Sequence, residues 1–215
     1  VDSSAYEDIQ DIFRPGHGDF TYFKKYGVRD YRGGGRASGR ETAARVAAGV
    51  IAGKVISREG MEVIAYTKAL GGVVISPGRI SREDIAASHL MCPDPQAAGA
   101  MEAKLEEARQ SCDSLGGIVE IIARGCPPGL GEPVFDKMDA DLAKALMSIG
   151  TVKGVEIGAG FQLTEMTGSE ANDPIAPEGF LTNRAGGILA GPLAPAVTEF
   201  RSLSTGIPNP VVSNS

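Results

Sequence analysis

The sequence predicts an α+β protein, because three helical stretches alternate with short apolar runs of strand length. Residues 39–56, 93–110 and 139–149 carry apolar side chains at helical spacing. The strand-like runs between and after them are residues 61–65, 72–75, 118–123 and 152–157. Helices of this length with short strands indicate a sheet packed against helices in one mixed core.

The first helix is predicted by both its apolar face and its start signal. Ser38 followed by Glu41 fits a capping box, in which a hydroxyl and a carboxylate satisfy free backbone N–H groups. The apolar face consists of Ala43, Val46, Ala47, Val50 and Ile51. We expect this face to pack closely against the rest of the core.

The remaining stretches are interpreted by the same local signals. The helix at 93–110 opens with Pro-Asp-Pro and places Met101 on its inner face. Residues 14–38 have no clear period and are expected to form an ordered loop with at most one short strand. The proline-containing segment 191–215 is expected to be a poorly ordered tail, and residues 1–190 to form the core.

Composition excludes several classes of protein. The 215 residues are 42% hydrophobic and 22% charged, with a mean hydropathy of -0.04, as in ordinary globular proteins. No leader or membrane-length apolar run is present, so we expect a cytoplasmic protein that binds no membrane. The net charge of -6 disfavours nucleic acid as a partner. Three unpaired cysteines and two distant histidines predict no metal site.

A basic segment interrupts this acidic chain. Residues 14–45 hold eight basic and three acidic side chains, a net charge of +5, so the rest of the chain carries -11. Within it, residues 32–40 (RGGGRASGR) place a glycine-rich loop directly before the first helix. Backbone N–H groups at a helix start bind anions, and Arg36 and Arg40 can add bidentate contacts. The spacing fits neither a P-loop nor a dinucleotide-binding loop, and a flexible turn with solvated arginines remains the alternative.

Two further features flank this loop. His17 lies in the turn Arg14-Pro-Gly-His and is a candidate proton donor or acceptor, because imidazole exchanges protons near neutral pH. Six of the twelve aromatic residues lie in the same region, where they either stack on a planar ligand or form an ordinary small core. These are Phe13, Phe20, Tyr22, Phe23, Tyr26 and Tyr31.

Several blocks together resemble chorismate synthases. The first runs are RPGHGDFTY from Arg14, KYGVRDYRGGGR from Lys25 and RETAARVAAG from Arg40. Later matches, in the same order as in the family, are CPDP from Cys92, PGLGEPVFDK from Pro128, VKGVEIG from Val152 and NRAGGIL from Asn183. The resemblance covers residues 6–190.

The resemblance implies a β-α-β sandwich that assembles as a homotetramer. It also implies a lyase that converts 5-enolpyruvylshikimate 3-phosphate to chorismate and phosphate by 1,4-elimination with reduced FMN. Whether the enzyme reduces its own flavin with NADPH stays open. The matched positions imply a catalytic role for His17, substrate-anion contacts for Arg14 and Arg40, and FMN contacts for a further set. That set is Arg36, Ala37, Ser38, Gly150, Thr151 and Ala190.

The sequence also departs from the family pattern. Ala37 stands where serine is usual, Gly39 where alanine is usual, and Ala190 where glycine is usual. Family members begin before Val1 and carry a Lys-Pro-Thr-Ser stretch that is lacking after Gly191, so we expect an incomplete chain. The alternatives are an inactive FMN- or phosphate-binding module, and an RNA-binding protein that uses the basic aromatic segment.

Overall fold

The computed structural model describes residues 4–78, 80–177 and 179–189, together with the backbone of residues 198–204. Its mixture of helices and antiparallel strands confirms the α+β class. The chain divides into two compact units, Val1–Ile51 and Ala52–Ser215.

The first unit is helical and loop-rich. It contains a 3-10 helix at Ser4–Ile9, helix α1 at Asp19–Tyr26, a 3-10 turn at Gly35–Ala37 and the beginning of helix α2 at Glu41–Ile56. The expectation of loop throughout 14–38 is therefore wrong. Helix α1 ends at Gly27, whose φ of 74° is the left-handed conformation that glycine adopts without strain, and whose N–H donates to the Phe23 carbonyl.

Helix α2 confirms the predicted element, beginning two residues later than expected. Its apolar face behaves differently from the expectation. Val46 and Ile51 are each 68% exposed, and none of the residues of the helix is buried. Periodicity identifies which side of a helix is apolar, whereas burial also needs a neighbouring surface, and the described residues do not cover this face.

The second unit is built on a five-stranded antiparallel sheet in the order β2-β1-β3-β7-β4. Its strands are β1 Glu62–Leu70, β2 Val73–Val74, β3 Gly117–Arg124, β4 Gly154–Ile157 and β7 Thr198–Ser204. A separate two-stranded hairpin joins β5 Ile175–Ala176 to β6 Gly179–Phe180. The helices are α3 Arg82–Ala87, α4 Pro95–Gln110, α5 Met138–Met147 and α6 Gly168–Ala171.

Both faces of this sheet are covered. Ile64 of β1 pairs with Ile122 of β3, and both pack with Ile85 of α3. Ala123 points to the opposite face, because side chains alternate along a strand, and it packs with Ile188 and residues of α5. The core therefore lies on the two sides of the central β1–β3 pair.

Helix α4 shows why its start was predictable. Asp94 is its N-cap and accepts hydrogen bonds from the backbone N–H groups of Gln96 at 2.9 Å and Ala97 at 3.1 Å, while Pro95 occupies the first turn. Met101 of this helix is fully buried, as expected. A local side-chain signal and an apolar stripe thus agree with the tertiary packing.

The tail at 191–215 lies largely outside the described residues. The backbone of Thr198–Ser204 forms strand β7, which pairs with β3 on one side and β4 on the other. The expectation of poor order for the rest of this segment stays a prediction.

Candidate functional site

The glycine loop, residues 32–40, brings two predicted arginines together. Gly33, Gly34 and Gly35 have φ values of 107°, 85° and 50°, which L side chains rarely adopt. A Cβ at Gly33 would lie 3.2 Å from Nη2 of Arg40, and a Cβ at Gly34 would lie 3.7 Å from Nη2 of Arg14. The absent side chain at Gly33 therefore leaves room for the Arg40 guanidinium, while the Arg14 guanidinium lies beside Gly34 at ordinary contact distance.

Arg14 is fixed by a buried carboxylate. Asp19 is 4% exposed and accepts from Arg14 Nε at 2.8 Å, from Nη2 at 2.9 Å and from the backbone N–H at 3.2 Å. These hydrogen bonds lower the pKa of Asp19 to about 2 and raise the pKa of Arg14 above its usual value. The bidentate contact uses the Nε/Nη2 edge of the guanidinium and leaves Nη1 for another acceptor.

Arg29 connects the Asp19 carboxylate to the backbone of residues 9–12. Its Nη1 donates to Asp19 at 3.0 Å, and Nη2 donates to the carbonyls of Ile9 at 3.0 Å and Ile12 at 2.9 Å. The side chain is 8% exposed and also lies over the ring of Phe13. The sequence does not single out Asp19 and Arg29, since an acid within a basic segment gives no signal of which arginines it binds.

The predicted flavin-contact triplet lies at the end of the glycine loop. Arg36 is 85% exposed, and its Nη1 donates to Glu41 at 3.2 Å. The predicted capping box is wrong. The Ser38 hydroxyl instead accepts from Nε of Arg40 at 3.0 Å and from the Arg40 backbone N–H at 3.3 Å, and the Glu41 carboxylate is taken by Arg36. Long arginine side chains outcompete the local capping contacts here.

His17 adjoins this triplet. A Cβ at Gly18 would lie 3.6 Å from the Ala37 Cβ, so the residue after His17 lies within contact distance of the triplet. The His17 backbone N–H donates to the Arg14 carbonyl at 3.3 Å. Its ring Nδ1 lies 3.1 Å from the Pro15 carbonyl, a contact that assigns the proton to Nδ1 and leaves Nε2 as the acceptor.

Five of the six aromatic residues form two groups of contacting rings on helix α1 and just before it. Phe13 contacts Phe20 and Phe23 with ring centroids 5.7 Å and 5.5 Å apart, and Tyr22 contacts Tyr26 at 5.5 Å. All five rings are more than one third exposed. They therefore pack on one another while keeping surface that a planar ligand can contact, and both interpretations stay open.

The other predicted flavin contacts lie in the second unit. Gly150 and Thr151 are exposed residues between α5 and β4. Thr151 has a φ of 74°, a left-handed conformation that is strained for a β-branched residue and is found preferentially at functional positions. Ala190 lies outside the described residues.

The described residues contain no group of histidine, cysteine and acidic side chains that can hold a metal ion. Among the same residues, no helix is long and apolar enough to cross a membrane. The three cysteines are unpaired thiols, and burial raises the pKa of Cys126.

Comparison with known proteins places these features in a family. Residues 1–196 match the model of the chorismate synthase family. The chain is similar to the chorismate synthase of Syntrophus aciditrophicus, with 67% identity over 193 residues, covering 89% of this chain and 54% of that protein. It is also similar to the chorismate synthase of Methanococcoides burtonii, with 50% identity over 214 residues, covering 97% of this chain and 56% of that protein.

A solved structure agrees. A crystal structure of chorismate synthase superposes with a TM-score of 0.77 at 29% identity, covering 87% of this chain and 63% of that chain. The chain spans about half the length of the curated relatives it matches.

Proposed function

Because the chain belongs to the chorismate synthase family, we propose that it binds 5-enolpyruvylshikimate 3-phosphate and contributes to its 1,4-elimination to chorismate and phosphate. The observation that carries the proposal is the approach of Arg14 and Arg40 to consecutive glycines of one loop. A substrate with two carboxylates and one phosphate needs several guanidinium groups, which bind oxyanions with matched geometry.

Both arginines are held before any ligand arrives. Asp19 fixes Arg14, and the Ser38 hydroxyl accepts from Arg40 Nε at 3.0 Å. Donors that are already oriented lose little conformational freedom on binding and stabilise charge as it develops. In the proposed 1,4-elimination the bond from one ring carbon to the phosphate oxygen breaks, a proton leaves a second ring carbon and a new carbon–carbon double bond forms, while negative charge grows on the leaving phosphate. These guanidinium groups supply the compensating positive charge.

The residues also fit the phosphate end of reduced FMN. Arg36 is exposed and keeps N–H donors beyond its single contact with Glu41, so it suits a phosphate oxygen. We assign cofactor binding to Arg36, Ala37 and Ser38. The roles of Gly150, Thr151 and Ala190 stay predictions from the family resemblance. A reduced flavin, when bound, supplies electron density to the reacting carbons.

We assign the proton-handling role to His17. The contact of its Nδ1 with the Pro15 carbonyl orients the ring and leaves Nε2 to accept or release a proton at the cofactor. The adjoining Ala37 places this turn beside the assigned cofactor contacts. We further propose a cytoplasmic homotetramer, with NADPH as one candidate reductant of the flavin.

A second candidate is a module that binds FMN or phosphate without turnover. The observation in its favour is that the glycine loop and its arginines suit anion binding whether or not chemistry follows. The two candidates share the glycine loop and differ only in whether chemistry follows binding. An assay of phosphate release from the substrate in the presence of reduced FMN separates them.

Binding itself is tested by quenching of FMN fluorescence with and without the substrate. Arg36→Ala is expected to lose FMN binding while keeping the fold, because the side chain is 85% exposed. Arg109→Ala is the matched control, since Arg109 is 77% exposed and also pairs with one glutamate. Quenching by wild type that Arg36→Ala retains in full would contradict the cofactor assignment. Absence of quenching by wild type would contradict a flavin site in this chain.

A further inference from the structure

Tyr6 lies beside the two-arginine part of the glycine loop. It belongs to the 3-10 helix Ser4–Ile9 and is half-buried. A Cβ at Gly33 would lie 4.0 Å from the Tyr6 hydroxyl oxygen and 3.2 Å from Nη2 of Arg40, so both groups reach one point next to the loop. Its ring centroid is 6.0 Å from Cζ of Arg14. Tyr6 therefore contacts the same space as both assigned substrate arginines.

The hydroxyl group is available for a ligand. Among the residues that the structure describes, none forms a hydrogen bond with the Tyr6 hydroxyl, whereas Tyr31 accepts from Arg32 and Tyr66 donates to Glu120. A phenol O–H is a neutral donor, and neighbouring guanidinium groups carry no acceptor that would compete for it. The position thus presents one directed donor next to two positive charges.

The ring of Tyr6 is also held in place. Its contact with Arg14 is of the cation–π type, and Arg14 is itself locked by the buried Asp19. A rigid aromatic side chain with two rotatable bonds loses little entropy when its hydroxyl engages a ligand. The buried Asp19 carboxylate thus positions Arg14, and Arg14 in turn positions the Tyr6 ring.

We propose that the Tyr6 hydroxyl is a third ligand of the substrate oxyanion bound by Arg14 and Arg40, and donates a hydrogen bond to one of its oxygens. This inference rests on the proposed function, since it needs an anion at the two arginines. The guanidinium groups supply positive charge. The phenol adds a directional hydrogen bond, which favours an anion that places an oxygen at this position. The bound group is a phosphate monoester or a carboxylate of the substrate.

The test is calorimetric titration of the 215-residue chain with shikimate 3-phosphate and with shikimate, which differ only in the phosphate. Tyr6→Phe keeps the ring and its contact with Arg14 and removes only the hydroxyl. We expect affinity to fall about tenfold, equal to about 1.4 kcal/mol. A loss confined to shikimate 3-phosphate assigns the hydroxyl to the phosphate, and an equal loss with both compounds assigns it to the carboxylate.

Two controls make the result decisive. Thr164→Val removes an exposed hydroxyl from the second unit and is expected to bind as wild type does. Arg40→Ala tests the anion site itself. If Arg40→Ala weakens binding and Tyr6→Phe does not, the inference about Tyr6 is overturned and the anion site stands. If the titrations show no heat of binding for either the wild type or Arg40→Ala, both the proposed anion site and the inference about Tyr6 are wrong.

A purely structural role of Tyr6 has a separate signature. The assigned FMN contacts include Arg36 and not the phenol, so Tyr6→Phe is expected to quench FMN as wild type does. Loss of FMN binding together with oxyanion binding would mean that the substitution disrupts the loop, which overturns a ligand role.

Discussion

Replacing Asp19 by asparagine tests the anchor of the candidate site. The carboxylate accepts from Arg14 at 2.8 and 2.9 Å and from Arg29 at 3.0 Å, and the arginine side chains are only 18% and 8% exposed. Removing one partner from a buried ion pair costs about 3 to 5 kcal/mol. Because Arg14 retains some solvent contact, we expect about 3 kcal/mol, or roughly a hundredfold in the local opening equilibrium.

Hydrogen exchange followed by mass spectrometry measures this opening directly in the full chain. Peptides covering residues 4–30 are expected to exchange faster in Asp19→Asn, with peptides of β1 and β3 unchanged. Glu106→Gln is the control, since Glu106 forms an exposed pair with Arg109 on α4. Exchange in residues 4–30 that matches wild type would refute the argument that Asp19 holds this unit together.

The other predictions concern acid, the glycine loop and the sheet. The pKa of Asp19 is lowered to about 2, so the ionised carboxylate adds about 2 kcal/mol to the free energy of unfolding above about pH 4. This contribution is lost as the pH falls toward 2. Urea unfolding across this range should show the loss in wild type and not in Asp19→Asn. Gly33→Ala forces a side chain onto a φ of 107° beside Arg40 and should weaken binding of shikimate 3-phosphate, whereas Gly39→Ala meets open space and should not. Glu120→Ala removes a 5%-exposed acceptor of Lys68 at 3.0 Å and should lower the free energy of unfolding by about 2 to 4 kcal/mol, with no change in FMN quenching.

Much of the fold could be predicted because its signals are local. Helix α4 begins where Asp94 and Pro95 indicate, and β3 extends the predicted apolar run by one residue at each end. Strand β1 runs to Leu70, well beyond the predicted 61–65, because its register with β3 continues past the apolar run through Tyr66 and Thr67. Pairing between strands sets the length of a strand, and a single segment does not contain that information.

The candidate site also combines features that the sequence predicts with features that depend on the tertiary structure. The sequence by itself determined the family resemblance, the prediction of an anion site at the glycine loop and the choice of Arg14, His17 and Arg40 as candidates, since charge and residue type are properties of the chain. Only the tertiary structure decided that Asp19 anchors Arg14 and that Arg14 and Arg40 meet at consecutive glycines. The reason is physical: which guanidinium pairs with which carboxylate depends on distances of about 3 Å across space, and these are fixed by burial and backbone conformation rather than by spacing along the sequence.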